Sequence, residues 1–307
     1  VRKIGSLTVS EVGLGCNNFG RRIDYPASAV VIDTALESGI NFFDTADVYG
    51  DGQSESFIGR ALGSRRTQVV IATKFGNAFG DQTGGAKPAY IRQAAEASLR
   101  RLGTDYIDLY QLHIPDKNTP IAETLDTLNE LVREGKVREI GCSNFSADQL
   151  REAKAVLKPD AARFVSVQNE YSLFKRDAEH TVLPESTREE IAFLPYFPLA
   201  SGLLTGKYRQ GQPIPPGTRL AGGGRFADLV NPQNLAVVES LIQFAEQHQH
   251  TILDLAFAWL LRWSVVASVI AGATKPDQVK ANVAATGWTL TDDAVREIET
   301  IVSRLIA

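Results

Sequence analysis

The chain has no methionine and only two cysteines, Cys16 and Cys142. The missing methionine is read as an initiator that has been removed, or as numbering that begins after it. Both cysteines lie inside apolar, strand-like runs. So low a count supports neither a disulfide framework nor a metal site, and both are expected as buried free thiols. No stretch reaches the roughly 18 uninterrupted apolar residues of a membrane span. The opening segment, VRKIGSLTVSE, has no apolar signal region. The expected location is therefore the cytoplasm. An excess of positive charge is lacking too: 32 basic against 36 acidic residues give a formal net charge of −4. That excludes a broad attraction for nucleic acid or an anionic membrane. No short-period repeat and no visible boundary divide the chain, so residues 1–307 are read as one domain. No heptad pattern or exposed apolar stripe speaks to oligomeric state.

What is present is an alternation. Strand-like runs occur at VGLGC (12–16), INFFDTA (40–46), VVIATKF (69–75), YIDLYQLH (106–113), VREIGCS (137–143), FVSVQNE (164–170), AFLPYFP (192–198) and ASVIAG (267–272). They are short, rich in β-branched and aromatic residues, and nearly continuous in apolar character, as strands covered on both faces are. Amphipathic segments at 28–39, 54–63, 89–103, 121–135 and 146–157 lie between them. Gly39 and Gly63 stop the first two. Eight strands with intervening helices imply a parallel sheet that closes into a (β/α)8 barrel, a fold that takes about 250 residues. RKIGSLTVSEVG reads as a hairpin ahead of the barrel, and TDDAVREIETIVSRLI as a closing helix. Two loops are long: 76–88 and the Gly/Pro-rich 205–234, the second expected to cover a bound cofactor.

Active sites of such barrels lie at the carboxyl ends of the strands. Asp44, Lys74 and His113 fall there on three successive strands, and Tyr49 lies in the loop after the first of these. Singly, each has a structural explanation: a helix cap or ion-pair partner, a solvated lysine, a packed tyrosine, a core histidine. Together they form one acid–base set. A phenol, with an ordinary pKa of about 10, is a poor acid unless a neighbour favours the phenolate. Lys74 supplies such a charge, Asp44 holds the ammonium, and His113 positions a substrate oxygen. The set handles a proton but carries no hydride donor, so reduction requires a cofactor.

In order, GLGCNNFG, NFFDTADVYG, IATKFG, LYQLH and IGCSNF resemble the aldo-keto reductase family, over about residues 4 to 285. PYFPLASGLLTGKY and AGATKPDQVKAN bring the chain nearer the bacterial and potassium-channel-β-like branch than the aldose-reductase branch. The resemblance implies a catalytic tetrad of Asp44, Tyr49, Lys74 and His113. Tyr49 would be the general acid and a reduced nicotinamide the hydride donor. A small carbonyl compound would be the substrate.

The resemblance also implies a cofactor site over the barrel mouth. Cys16, Asn17 and Asp44 would border it, and Ser143, Asn144 and Gln168 would meet the nicotinamide carboxamide. Tyr196 would stack on the ring, and Phe197, Pro198, Leu199, Ala200, Ser201 and Gly202 would approach the pyrophosphate. Lys207 and Arg219 would neutralise phosphate. Gly272, Thr274, Lys275, Gln278 and Asn282, where a strand passes into a helix, would take the adenosine end, since a helix amino end favours anions. NADPH is the expected cofactor. NADH stays open because the arginine of the aldose-reductase branch is absent.

GLGCNNFG lacks Rossmann spacing. YSLFK, Tyr171 to Lys175, matches the Tyr-x-x-x-Lys of short-chain dehydrogenases without their glycine-rich start. Two other functions compete on the barrel itself. One is a nucleotide-binding regulatory or sensor subunit with little turnover. The other is a Schiff-base aldolase using Lys74. Selectivity is expected from loops 17–25, 76–88 and 205–234 and from the carboxyl-terminal segment, with Asn17, Asn18, Tyr25, Phe75, Phe79 and Trp288 as candidate mouth residues that packing alone would also explain.

Overall fold

A computed structural model describes residues 1–80, 83–222 and 228–305. Residues 81–82 of the first long loop, 223–227 of the second, and 306–307 lie outside the described residues. The amino-terminal hairpin pairs β1 (Arg2–Ile4) with β2 (Leu7–Val9). The barrel strands are β3 (Val12–Gly15), β4 (Phe42–Asp44), β5 (Val70–Phe75), β6 (Ile107–Leu112), β7 (Val137–Ser143), β8 (Phe164–Glu170), β9 (Ala192–Tyr196) and β10 (Val269–Gly272). They pair in parallel in the order β10-β3-β4-β5-β6-β7-β8-β9. The ring nearly closes between the two outer strands. Phe193 N–H donates to Val265 O at 2.8 Å, and Ala267 N–H donates to Phe193 O at 3.1 Å.

The helices are α1 (Tyr25–Glu37), α2 (Gln53–Leu62), α3 (Pro88–Leu102), α4 (Ile121–Arg133), α5 (Ala147–Ala155), α6 (Val182–Glu189), α7 (Pro232–Gln247), α8 (Ile252–Leu261), α9 (Pro276–Ala284) and α10 (Asp292–Val302). Local chemistry sets their ends. The Asp24 side chain accepts from Ala27 N–H ahead of α1. Ser146 with Gln149, and Thr251 with Asp254, form capping boxes that open α5 and α8. Gly103, at φ 62°, stops α3. The expected barrel strands and the helices between them are present, their ends within three residues of those expected, and α1 begins three residues earlier. Three helices, α6, α7 and α8, have no counterpart in the sequence reading.

The hairpin plugs the amino end of the barrel. Ile4, Leu7 and Val9 pack against Phe42, Ala72, Leu109, Leu194 and Ile270 inside it. Each such side chain contributes about 2 kcal/mol on burial. Arg2 fixes the plug by donating to the carbonyls of Leu261, Trp263 and Val266. Two glycines make room within the barrel. A Cβ on Gly13 would stand 2.8 Å from the Phe42 ring, and one on Gly141 would stand 2.3 Å from Ser166 Oγ and 3.2 Å from Gln111 Cγ. With its lower end plugged, the barrel opens only at the carboxyl ends of its strands, where the candidate residues gather. Among the described residues no helix is long and apolar enough to cross a membrane.

Candidate active site

The strand ends bring Asp44, Lys74, Tyr49 and His113 together. Lys74 is fully buried on β5. Its ammonium donates to Asp44 Oδ1 at 2.8 Å, Asp44 Oδ2 at 2.7 Å and Thr45 O at 2.9 Å. Burial works against that charge, but the Asp44 carboxylate and the Tyr49 phenol outweigh it, and Lys74 ends above its ordinary value. The half-buried Tyr49 ring lies with its centroid 5.2 Å from Lys74 Nζ. His113 meets that ring edge-on at 5.9 Å.

Two protonation states follow. Burial raises Tyr49 above its ordinary value; the pull of Lys74 moderates this and Asp44 adds to it. Lys74 favours the phenolate, as expected, but burial outweighs it and Tyr49 is a protonated phenol at neutral pH. Burial and the Lys74 charge pull His113 down to about 3, so its imidazole is neutral. Its Nδ1 is buried without a hydrogen-bond partner. Keeping the proton on Nε2 avoids burying an unpaired N–H, which leaves Nε2–H as a donor.

Around this set stand β7, β8 and β9. Ser143 Oγ donates to Gln168 O at 2.8 Å. Asn144, in a left-handed conformation at φ 61°, donates to His113 O at 2.9 Å and accepts from the Tyr196 hydroxyl at 2.8 Å. The Gln168 amide donates to Asp44 Oδ1 at 2.8 Å. Gln111, which the sequence reading did not single out, donates to the same oxygen at 3.4 Å. Strand alternation could have found it, since Gln111 lies two residues before His113 and so on the same face.

After β9 the backbone is strained. Phe197, Ala200 and Ser201 have φ of 50°, 45° and 58°, and Gly202 has 99°. Pro198 is buried and Leu199 half-buried in the same bend. Lys207 reaches back so that its Nζ would be 3.0 Å from a Cβ on Gly202. Arg219 donates to Asn18 Oδ1 at 2.9 Å and lies 5.8 Å from the Phe197 ring centroid. Arg22, also missed from the sequence, donates to Gly217 O at 3.3 Å. Burial lowers Lys207 and Arg219, and the like charge of Arg22 adds to both. None of these three cations is paired with a carboxylate among the described residues. Asn17 and Asn18 adjoin Gly272, whose Cβ would stand 3.6 Å from Asn17 Oδ1 and 3.3 Å from Asn18 Nδ2. Ahead of α9, Thr274 N–H donates to Gln278 Oε1 at 2.7 Å, Lys275 is exposed and Asn282 is buried.

Several of the aromatic residues expected at the mouth have packing partners. Phe75 is fully buried against Tyr110, at 4.7 Å between ring centroids. Tyr25 packs on Phe57 and Arg60 of α2. Trp288 stacks on His250 at 4.1 Å and faces Phe244. Cys16 is buried in the apolar layer with Leu14 and Phe19, its thiol pushed well up by burial and by the neighbouring Asp44. Tyr171 of the YSLFK match is a structural residue. It is fully buried, donates to Glu179 Oε1 and accepts from Trp263. Cys142 is a buried free thiol, as is Cys16.

An acid–base pair at the mouth of a parallel barrel, beside uncompensated cations, suits a dinucleotide-dependent oxidoreductase. The model of the aldo/keto reductase family matches residues 11–303. The chain belongs to that family. It is therefore an NAD(P)H-dependent oxidoreductase. It is 38% identical to the NADH-specific methylglyoxal reductase of Escherichia coli, over 93% of this chain and 92% of that relative. It is 35% identical to a probable voltage-gated potassium channel subunit beta of Arabidopsis thaliana, over 91% of this chain and 88% of that one. The glycerol dehydrogenase structure from Gluconobacter oxydans superposes with a TM-score of 0.87 at 32% identity, covering 99% of this reductase and 95% of that chain.

Proposed function

We propose that the protein reduces an aldehyde or ketone with NADPH, with Tyr49 as the general acid. The observation that carries this is the buried Lys74 ammonium. Both Asp44 oxygens hold it, and its charge faces the Tyr49 phenol. The phenol is protonated at rest and so is loaded as a donor. As it gives its proton to the carbonyl oxygen, the phenolate that forms meets the fixed charge of Lys74 in a water-poor site. His113, neutral with Nε2–H outward, donates to the same carbonyl oxygen and sets its position. The reduced nicotinamide, when bound, supplies the hydride for the carbonyl carbon.

The chain fits that group. Ser143, Asn144 and Tyr196 form a polar rim with one aromatic face. The left-handed backbone of 200–202 lies beside Lys207 and Arg219, which lack carboxylate partners among the described residues. Thr274 and Lys275 stand ahead of α9, where a 2′-phosphate would gain from the helix amino end.

A Schiff-base role for Lys74 requires a neutral amine, whereas this lysine is held charged. A nucleotide sensor has no need of the intact set of Asp44, Tyr49, Lys74 and His113. The test is turnover of small aldehydes, glyoxals, steroids and sugars with NADPH and with NADH. Tyr49→Phe is expected to abolish turnover and to spare cofactor binding. Unchanged turnover in that variant, or a borohydride-trapped substrate adduct on Lys74 formed without nicotinamide, would overturn the reading.

A further inference from the structure

Behind the mouth lies a second group of ionisable side chains that the proposed chemistry does not use. Asp47 is 2% exposed in the loop between β4 and α2, two residues before Tyr49. Its N–H donates to Lys74 O at 3.2 Å, so the backbone ties this acid to the lysine's own strand. Asp47 Oδ1 is buried without a hydrogen-bond partner. Glu55 of α2, fully buried, bears on it with like charge.

Glu55 is itself well held. It accepts from Thr73 Oγ1 and from Arg101 Nε, both at 2.6 Å. Val48 N–H bonds the Asp47 carboxyl and favours its charged form, as do the charges of Arg101 and Lys74. Lys74 is engaged by both oxygens of Asp44. Tyr110 of β6 faces both acids with a hydroxyl that is buried and unpartnered. Tyr90 of α3 faces Asp47, its hydroxyl 3.4 Å from Asn77 O.

Two buried acids that share one guanidinium do not both ionise readily. Glu55 has two strong donors and Asp47 has a bare oxygen, so the proton belongs on Asp47. We propose that Asp47 is a positioning residue for the reaction. Neutral, it stays buried and holds the Tyr49 loop in register with Lys74; ionised, it must find water or a donor, and it shifts that loop. Its effect on rate rests on the reductase reading, but its titration does not.

Neutrality is where this shows. Burial and then Glu55 raise Asp47 to about 7. Tyr49 and Lys74 lie above their ordinary values and His113 is near 3. None of those three titrates near pH 7, so a rate limb there is assigned to Asp47.

The experiment follows carbon-13 labels on the aspartate and glutamate carboxyls and on the tyrosine Cζ atoms by NMR across pH, with Tyr49 assigned through Tyr49→Phe. One carboxyl should titrate near neutrality and be absent in Asp47→Asn. The Tyr49 signal should follow with the same midpoint and be flat in that variant. Glu55→Gln should move the midpoint down and serves as a second route if Asp47→Asn does not fold. In turnover, kcat/KM should fall on the order of tenfold from slightly acid to slightly alkaline pH, and Asp47→Asn should lack that limb. Both titrations without any carbonyl turnover would sink the reductase reading and leave the hold of Asp47 on Tyr49 standing. Robust turnover with the carboxyl titrating below about 5, or with Tyr49 unresponsive, would overturn the inference.

Discussion

Gln168 Nε2 lies 2.8 Å from Asp44 Oδ1, a hydrogen bond between β8 and β4 that crosses the barrel mouth. It links the floor proposed for the nicotinamide to the carboxylate that holds Lys74. A hydrogen bond to a charged acceptor contributes about 1.5–3 kcal/mol. Gln168→Leu leaves Asp44 short of a donor, so it should lower kcat about tenfold and also weaken cofactor binding. Steady-state kinetics with a fluorescence titration of the cofactor reads both. Change in neither would show that the amide does not couple the two.

The Asp44–Lys74 pair should be costly to break on one side. Asp44→Asn leaves a buried ammonium without its counter-charge, a loss of about 3–5 kcal/mol. Replacing both residues, Asp44→Leu with Lys74→Met, should restore most of the denaturant midpoint while turnover stays absent. The pair also fixes a sign. Lys74 is raised in the fold, so its stabilisation is present below the unfolded lysine value of about 10.5 and is lost as pH rises through the folded one. Lys74→Met should lack that alkaline loss. A double variant no more stable than Asp44→Asn would count against this account.

Much of this was legible in the sequence, for reasons that differ by element. β5 and β6 are covered on both faces and carry nearly continuous apolar runs, so they stood out. The set was visible because Asp44, Lys74 and His113 fall where three successive strand-like runs end, with Tyr49 in the loop after the first. α8 (ILDLAFAWLL) was missed because it is apolar all round, and periodicity cannot separate such a run from a buried strand. α6 is only eight residues long and carries Pro184 in its first turn, which weakens any helical reading. The bond from Gln168 to Asp44 spans 124 positions, and only barrel closure brings the two together. The direction of the Tyr49 shift was also hidden. Spacing reveals a nearby lysine but not the burial that outweighs it.

His113 gives an acid-side prediction. Its folded value is about 3, against about 6.5 for an unfolded histidine. Below about 6.5 the unfolded chain takes up a proton that the folded chain refuses. The stability this group confers is therefore present above that value and lost as pH falls toward 3. His113→Asn should flatten the fall in melting temperature between about pH 6.5 and 4. Nitrogen-15 spectra at pH 5 should show His113 neutral and protonated on Nε2, and an imidazolium there would contradict the assignment.

Lys207, Arg219 and Arg22 give a prediction that separates the two ends of the proposed dinucleotide. Lys207, Arg219 and Arg22 repel one another without a carboxylate partner among the described residues, so a bound diphosphate relieves an existing strain. That relief is common to NADPH and NADH. Arg219→Ala or Lys207→Ala should therefore weaken both cofactors by a similar factor, about tenfold for one charge-assisted hydrogen bond. Affinity in the parent chain should fall as salt is added. Lys275 is exposed ahead of α9, where the 2′-phosphate is proposed to lie. Lys275→Ala together with Thr274→Val should weaken NADPH and leave NADH nearly unchanged. Titrating each variant with both cofactors tests the division. A loss confined to NADPH in Arg219→Ala would place the 2′-phosphate at the cation cluster instead, and equal losses in the α9 variant would remove that helix as the source of preference.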